Sequence, residues 1–302
     1  MASIGLKVIR RILGAAELVS PKLAGRAAFE LFRRTPNPKS MTDGERRAVE
    51  RAADFMAEAR HHRVRASYGC LTLHEFRSRQ GRSAGTVLVI HGWRSRTEYM
   101  RALIEGYRDA GFKVVSLDLP GHGGSTGRAL DMARAVEAAH LAGQWFGPFA
   151  AVVGHSFGGA VAVNAAAGSI GRFAPLETSR LVLIAAPNSM PRLFREFGRH
   201  VSLGPAGYRA MEARVERVTG TPLRDFENGR MLARLPVPTL VVHARDDREV
   251  PETEARAMAG AGDHVRMLWA NGLGHRRILS DAAVVREAVE FTVAEPDRAL
   301  VH

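Results

Sequence analysis

Ala151-Val152-Val153-Gly154-His155-Ser156-Phe157-Gly158-Gly159-Ala160-Val161-Ala162-Val163 is the stretch whose reading decides the fold. A short apolar run leads into a serine flanked as Gly-x-Ser-x-Gly, and small residues follow. Such a pattern reads as a buried strand turning sharply into a helix. The glycines let backbone pass close to backbone, and the serine hydroxyl is presented at the carboxyl edge of a sheet. A glycine-rich turn can instead cradle phosphate with its amides. The phosphate pattern, however, places Lys and Ser/Thr after its last glycine, and no lysine follows here. Gly123-Gly124-Ser125-Thr126-Gly127 repeats the motif. Asp118 to His122 separate it from the preceding strand, so Ser125 is expected on a flexible loop without a rigid mount. Ser156 is the candidate nucleophile.

Outward from this turn the same alternation recurs. Val87-Leu88-Val89-Ile90, Val114-Val115-Ser116-Leu117, Leu181-Val182-Leu183-Ile184, Leu240-Val241-Val242 and Val265-Arg266-Met267-Leu268 are short apolar runs. Between them lie helical patterns over 97–110, 128–143, 157–168, 252–260 and 281–294. Continuous apolar strands between helices are what a mostly parallel sheet buried on both faces requires, and that is an α/β architecture. Residues 187–235 break the alternation with a helical, Arg- and Met-containing insertion. It would lie above the carboxyl ends of the strands, where open α/β sheets bind ligands, and reads as a small helical lid within a domain spanning 61–302.

Residues 1–60 read as a basic amphipathic helical extension. Thr42 with Glu45 three residues later fits a capping box for one of its helices. On the first helix, steps of about 100° gather Ile4, Val8, Ile9, Ile12, Leu13, Ala16 and Val19 on one arc, with Lys7, Arg10, Arg11 and Glu17 on the other. Such a face serves packing on the main domain, self-association, or peripheral contact with an anionic membrane through residues 1–40. Pro36 and Pro38 read as a hinge. The extension supplies no catalytic candidate and is expected to be dispensable for chemistry.

A serine nucleophile needs a neighbouring base, and a histidine base needs a carboxylate to hold its tautomer. His200 falls in the lid, His243 inside a strand and His264 before one. His275 alone follows the last strand, in Asn271-Gly272-Leu273-Gly274-His275. The acid belongs after the preceding strand, where Asp246, Asp247 and Glu249 compete.

Val89-Ile90-His91-Gly92-Trp93, Asp118-Leu119-Pro120-Gly121-His122-Gly123-Gly124-Ser125, Gly154-His155-Ser156-Phe157-Gly158-Gly159 and Gly274-His275 together resemble the α/β-hydrolase superfamily over about residues 64–295. The likeness is to its esterase, lipase-like and serine-peptidase-like branches. It implies an α/β-hydrolase fold with triad Ser156, Asp247 and His275. Ala244-Arg245-Asp246-Asp247-Arg248-Glu249-Val250-Pro251 is similar to the family's Gly-x-x-Asp-x-x-Val-Pro. Ala244 stands where the family has glycine, which keeps Asp246 open as an alternative. The resemblance also implies an oxyanion hole made by the backbone N–H groups of Trp93 and Phe157. Hydrolysis of carboxylic esters through an acyl-enzyme is the expected reaction, with no cofactor or metal and a small-molecule acyl substrate. Thioesterase, peptidase and C–C hydrolase chemistry share the triad. A non-catalytic ligand-binding protein is the reading from another class.

With 46% hydrophobic and 25% charged residues the composition is that of an ordered globular chain. The formal net charge of +12 rests almost wholly on scattered arginines. No zinc-finger spacing, RNA-binding signature or like-charge tail accompanies it, so no nucleic-acid partner is expected. Cys70 lies in an alternating stretch and reads as a buried small hydrophobe. The apolar run after Arg11 is broken at Glu17, too short for a secretory signal. A cytoplasmic protein is expected, with membrane association open.

Overall fold

The period-two alternation of the strands sets the layers. The computed structural model describes residues 4–36 and 41–294. In chain order come α1 (Ile4–Val19), α2 (Pro21–Phe32), α3 (Asp43–Arg51), α4 (Ala53–Ala57), β1 (Arg60–Ala66), β2 (Gly69–Phe76), β3 (Thr86–Ile90), α5 (Arg101–Asp109), β4 (Lys113–Asp118), α6 (Met132–Phe146), β5 (Ala151–His155) and α7 (Phe157–Ala166). There follow β6 (Leu181–Ile184), α8 (Met190–His200), α9 (Pro205–Thr219), α10 (Asn228–Leu232), β7 (Thr239–His243), α11 (Glu252–Ala259), β8 (Val265–Trp269), α12 (Gly274–Arg277) and α13 (Ala282–Val293). The strands form one sheet in the order β1-β2-β4-β3-β5-β6-β7-β8. Pairing is parallel from β4 through β8, while β1–β2 and β2–β4 are antiparallel. Leu88, Ile90, Val152, Leu181 and Leu183 bury against α6 and α7 on one face. Val87, Val89, Val153, Val182 and Ile184 bury against α5 and α13 on the other. Burying each such side chain contributes about 1.5–3 kcal/mol.

Several local expectations are modified. The helix read from residue 128 starts at Met132, because Asp131 caps it by accepting from the Arg134 amide at 3.1 Å. Residues 128–130 instead run beside the N-terminal segment, with Thr35 N donating to Arg128 O and Leu130 N to Arg33 O. Cys70 is half-buried rather than buried, since it sits on the outer hairpin where Arg63 Nε reaches its Sγ at 3.3 Å. The Thr42–Glu45 capping box is formed as read. Pro38, half of the expected hinge, lies outside the described residues. Among the described residues no helix is long and apolar enough to cross a membrane.

The N-terminal segment is built into the domain. α2 crosses α9 so closely that a Cβ on Gly25 would lie 2.5 Å from Gly207 O and 2.6 Å from the Met211 amide. α1 docks by a mixed face: Leu13 is buried, and Glu17 accepts from the amides of Gly204 at 2.6 Å and Gly207 at 2.8 Å at the start of α9. Arg10 Nε donates to His200 O at the end of α8 at 2.9 Å. Each contact places a charge on the favourable end of a helix dipole. Val8, Ile12 and Val19, expected on one face with Leu13, point outward instead.

Candidate active site

β5 ends at His155, and Ser156 takes φ 51° and ψ −125° before α7 begins at Phe157. A non-glycine residue in that region stores strain that its surroundings must hold. They do so by proximity: Ser156 N donates to Ile184 O at 2.9 Å, and Gly159 N to Ser156 O at 2.9 Å. A Cβ on Gly158 would collide with the Ile90 and His91 carbonyl oxygens, and one on Gly154 with Gly158 itself. The glycines of the motif therefore serve the crossing of β3, β5 and α7.

His275 is buried at the start of α12, and its Nδ1 lies 2.8 Å from Asp247 Oδ2. Asp247 Oδ1 accepts the amides of Glu249 at 2.8 Å and Val250 at 2.9 Å. Burial works against the Asp247 charge. The bonds from His275 and the two amides outweigh it, and its pKa falls below the ordinary carboxylate value. Asp246 is used elsewhere, accepting from Gly272 N at 2.7 Å. Glu249 Oε2 lies 3.8 Å from His275 Nε2, and its other oxygen pairs with Arg276 at 3.0 Å.

Three further histidines shape the site, and sequence reasoning assigned none of them a role. His91 Nδ1 donates to Gly92 O at 2.7 Å while its Nε2 accepts from Leu119 N at 3.0 Å. His122 Nδ1 donates to Pro120 O, and its Nε2 accepts from Arg94 N, both at 3.1 Å. These two rings pin the loop that carries Trp93. His155 Nε2 donates to the carbonyl of His275 at 2.9 Å, holding the backbone beneath the candidate base. Burial pushes all three pKa values down, His122 to about 4 and His155 to about 3. Their place inside the family-like motifs was the available signal.

Ser125 is buried rather than on a loose loop, and its hydroxyl is occupied on both sides. It donates to Asp118 O at 2.6 Å and accepts from Thr72 N at 2.8 Å. No group on it is left for chemistry.

Ser156, Phe157, Trp93 and His275 line a cavity of about 350 Å³ with mainly apolar walls. Phe29 and Phe32 come from α2, Phe194 and Phe197 from α8, and Val215 from α9. The Phe32 ring lies 4.1 Å from that of Phe194 and 5.1 Å from that of Phe197, centre to centre. Trp93 stands edge-on to Phe157 at 5.8 Å. The N-terminal segment, expected to supply no catalytic group and to be dispensable for chemistry, forms part of the cavity wall, because α2 packs between α9 and the Trp93 loop. A second cavity of about 600 Å³ opens beyond Ser156 and His275, lined by Arg51, Arg94, Tyr99, Glu45 and Arg276. The lid's base is tied down by Glu227, which accepts from Ser189 Oγ at 2.6 Å, and by Glu254, which accepts from Ser189 N at 2.8 Å. Among the described residues no group of three or more His, Cys, Asp or Glu side chains could hold a metal ion.

The chain is similar to known proteins. The chain is 28% identical over 249 residues to a pimeloyl-[acyl-carrier protein] methyl ester esterase of Xanthomonas campestris pv. campestris (strain B100), covering 69% of this chain and 94% of that one. It is similar in structure to a hydrolase from Pseudomonas aeruginosa PA01, at TM-score 0.59 and 18% identity over 78% of this chain and 98% of that chain. Est1E from Butyrivibrio proteoclasticus superposes at TM-score 0.59 and 16% identity, over 76% of this chain and 96% of that chain. These structural likenesses are of fold. Residues 87–288, more than half of the chain, match the family model of the alpha/beta hydrolases, and the chain belongs to the alpha/beta hydrolase family.

Proposed function

We propose that the protein is a serine hydrolase of carboxylic esters. Its acyl group would occupy the Phe-rich chamber under the lid. His275 Nε2 takes the proton of Ser156 Oγ as the oxygen attacks the ester carbonyl. Asp247 holds Nδ1–H and stabilises the imidazolium that forms. The N–H of Phe157, at the first position of α7, has no carbonyl partner within its helix. With the N–H of Trp93 it receives the developing oxyanion, and each such donor lowers the barrier by about 3–4 kcal/mol. The alcohol leaves with the proton from His275, and water activated by the same nitrogen releases the acid.

The observation that carries this reading is a serine at φ 51° on the β5–α7 turn, lining one cavity with a histidine whose Nδ1 is 2.8 Å from a buried carboxylate. The Xanthomonas relative, named for a methyl ester of an acyl group, supports ester chemistry. Chamber size and apolarity favour an acyl chain over a charged or peptidic group. Labelling with a fluorophosphonate tests the nucleophile: the wild type should be labelled and Ser156→Ala should not. A panel of aryl esters and thioesters of graded chain length then tests the substrate. Retained labelling in Ser156→Ala, or no turnover of any ester, would overturn the proposal.

A further inference from the structure

α1 is oriented against the usual rule for a surface helix, with much of its polar inventory turned inward. Glu17 and Arg10 are spent on the lid helices, and Leu13 on the core. The outward side carries Val8 at 48%, Ile12 at 60% and Val19 at 83% exposure, with Leu18 at 90% and Leu23 of α2 at 58% beside them. Val8, Ile12 and Val19 recur at helical spacing, so they form one stripe. Apolar side chains grouped in this way mark an interaction surface.

The charges around the stripe are of one sign. Lys7, Arg11, Lys22 and Arg26 are exposed, and none has a carboxylate partner among the described residues. The two carboxylates between residues 4 and 32 are both engaged: Glu17 caps α9, and Glu30 pairs with Arg33 at 2.7 Å and Arg214 at 3.8 Å. A symmetric pairing of two copies through this face would set like cations close together. An anionic lipid surface answers both features, since apolar side chains enter the headgroup boundary while cations meet the phosphates.

We propose that the outer face of α1, continued by Lys22, Leu23 and Arg26, docks on the surface of an anionic lipid bilayer. Glu17 and Arg10 tie the inner side of α1 to α9 and α8, so docking would set α1 between these two lid helices and the lipid. The docking surface involves no residue of the catalytic machinery, so it stands or falls separately from the hydrolytic reading.

The test uses the full chain with two kinds of vesicle, phosphatidylcholine alone and phosphatidylcholine mixed with phosphatidylglycerol. Cosedimentation should show binding to the mixed vesicles, at least about tenfold weaker to phosphatidylcholine and weakened by salt. Ile12→Glu/Val19→Glu should lose binding at least about tenfold while turning over a soluble short-chain ester like the wild type. Lys7→Glu/Arg11→Glu, at exposed positions, should keep the fold and lose the salt-sensitive part. Absence of wild-type binding to the mixed vesicles overturns the proposal, as does undiminished binding of Ile12→Glu/Val19→Glu. So does a wild-type dimer in size-exclusion chromatography that this double variant splits, which would assign the stripe to a second copy.

Discussion

Replacing Asp247 with Asn changes one atom and should disable the base. Oδ1 of Asp247 accepts two backbone amides, from Glu249 and Val250, and only an oxygen can take that place. The Asn carbonyl therefore stays there, because turning it away would leave both amides facing an NH₂ group, at about 1–3 kcal/mol for the buried Val250 donor alone. The new NH₂ then occupies the position of Oδ2, 2.8 Å from His275 Nδ1. Two donors cannot face each other at that distance, so His275 moves its proton to Nε2 and can no longer receive one from Ser156. In a triad where this tautomer is imposed, kcat falls about 10⁴-fold, or about 5.4 kcal/mol of transition-state stabilisation. Asp246→Asn is the control. Its Oδ1 can still accept from Gly272 N, and kcat should stay within about threefold, under about 1 kcal/mol. Steady-state hydrolysis of an aryl ester by both variants, with melting curves to establish folding, reads the difference. Equal losses, or the larger loss at Asp246, would refute the assignment.

Ser156→Ala should remove about 10⁶-fold of kcat. Ser125→Ala should leave kcat nearly unchanged but lower stability by about 1–3 kcal/mol, since Asp118 O and Thr72 N lose their buried partner; kinetics and a thermal melt separate the two. Deleting residues 1–40 removes Phe29, 1% exposed, and the Glu17 caps, and losing one such aromatic alone costs about 3–5 kcal/mol. The truncated protein should aggregate or melt well below the full chain, and an active product with unchanged melting temperature would contradict the packing. His122 and His155 are held at about 4 and about 3, below their ordinary 6.5. As pH falls from 6.5 toward 4 the unfolded chain binds protons that the native rings refuse, so stability should drop by about 1.4 kcal/mol per unit for each. Asp118 and Asp247, whose pKa values are lowered, contribute only at still lower pH. Urea titrations at pH 7 and 5 check the slope.

The legible parts of this protein are those where local chemistry and topology agree. The strand-serine-helix turn has a composition that few other backbones need, and the chain order of the strands leaves His275 at the sheet's carboxyl edge. The residues alone narrow the acid after β7 to Asp246, Asp247 and Glu249, and the resemblance selects Asp247, because a one-residue shift in a turn is decided by which carboxylate faces the ring. Phe29 and Phe32 were invisible as wall residues, since an aromatic on a helix reads the same whether it meets a core or a chamber. The outward stripe of α1 was misread for a related reason. Periodicity finds an apolar arc but cannot tell which side of a helix the rest of the chain will occupy, and here Glu17 and Arg10 chose the other side. Ser125 looked loose because its two partners, Thr72 and Asp118, belong to strands that only the folded sheet brings together.

Four histidines in and around the candidate site raise the question of why His275 is the one proposed as base. His155 is adjacent to Ser156 in sequence, yet its Nε2–H is bound to the His275 carbonyl and its buried Nδ1 has no hydrogen-bond partner. Burial, and after it the neighbouring His275 ring, disfavour a charge there and push its pKa down to about 3. His91 and His122 each have one nitrogen donating to a carbonyl and the other accepting a backbone amide, so neither can take up a proton without losing a bond. His275 differs in both respects. A carboxylate faces its Nδ1 and would stabilise the imidazolium, and its Nε2 meets no backbone donor, only the cavity and the half-exposed Glu249 at 3.8 Å. The hydrogen-bond partners thus separate three rings that hold backbone in place from His275, the ring proposed as base, whose Nε2 faces the cavity. That division of labour comes from the folded backbone, and the count of histidines in the sequence carries no trace of it.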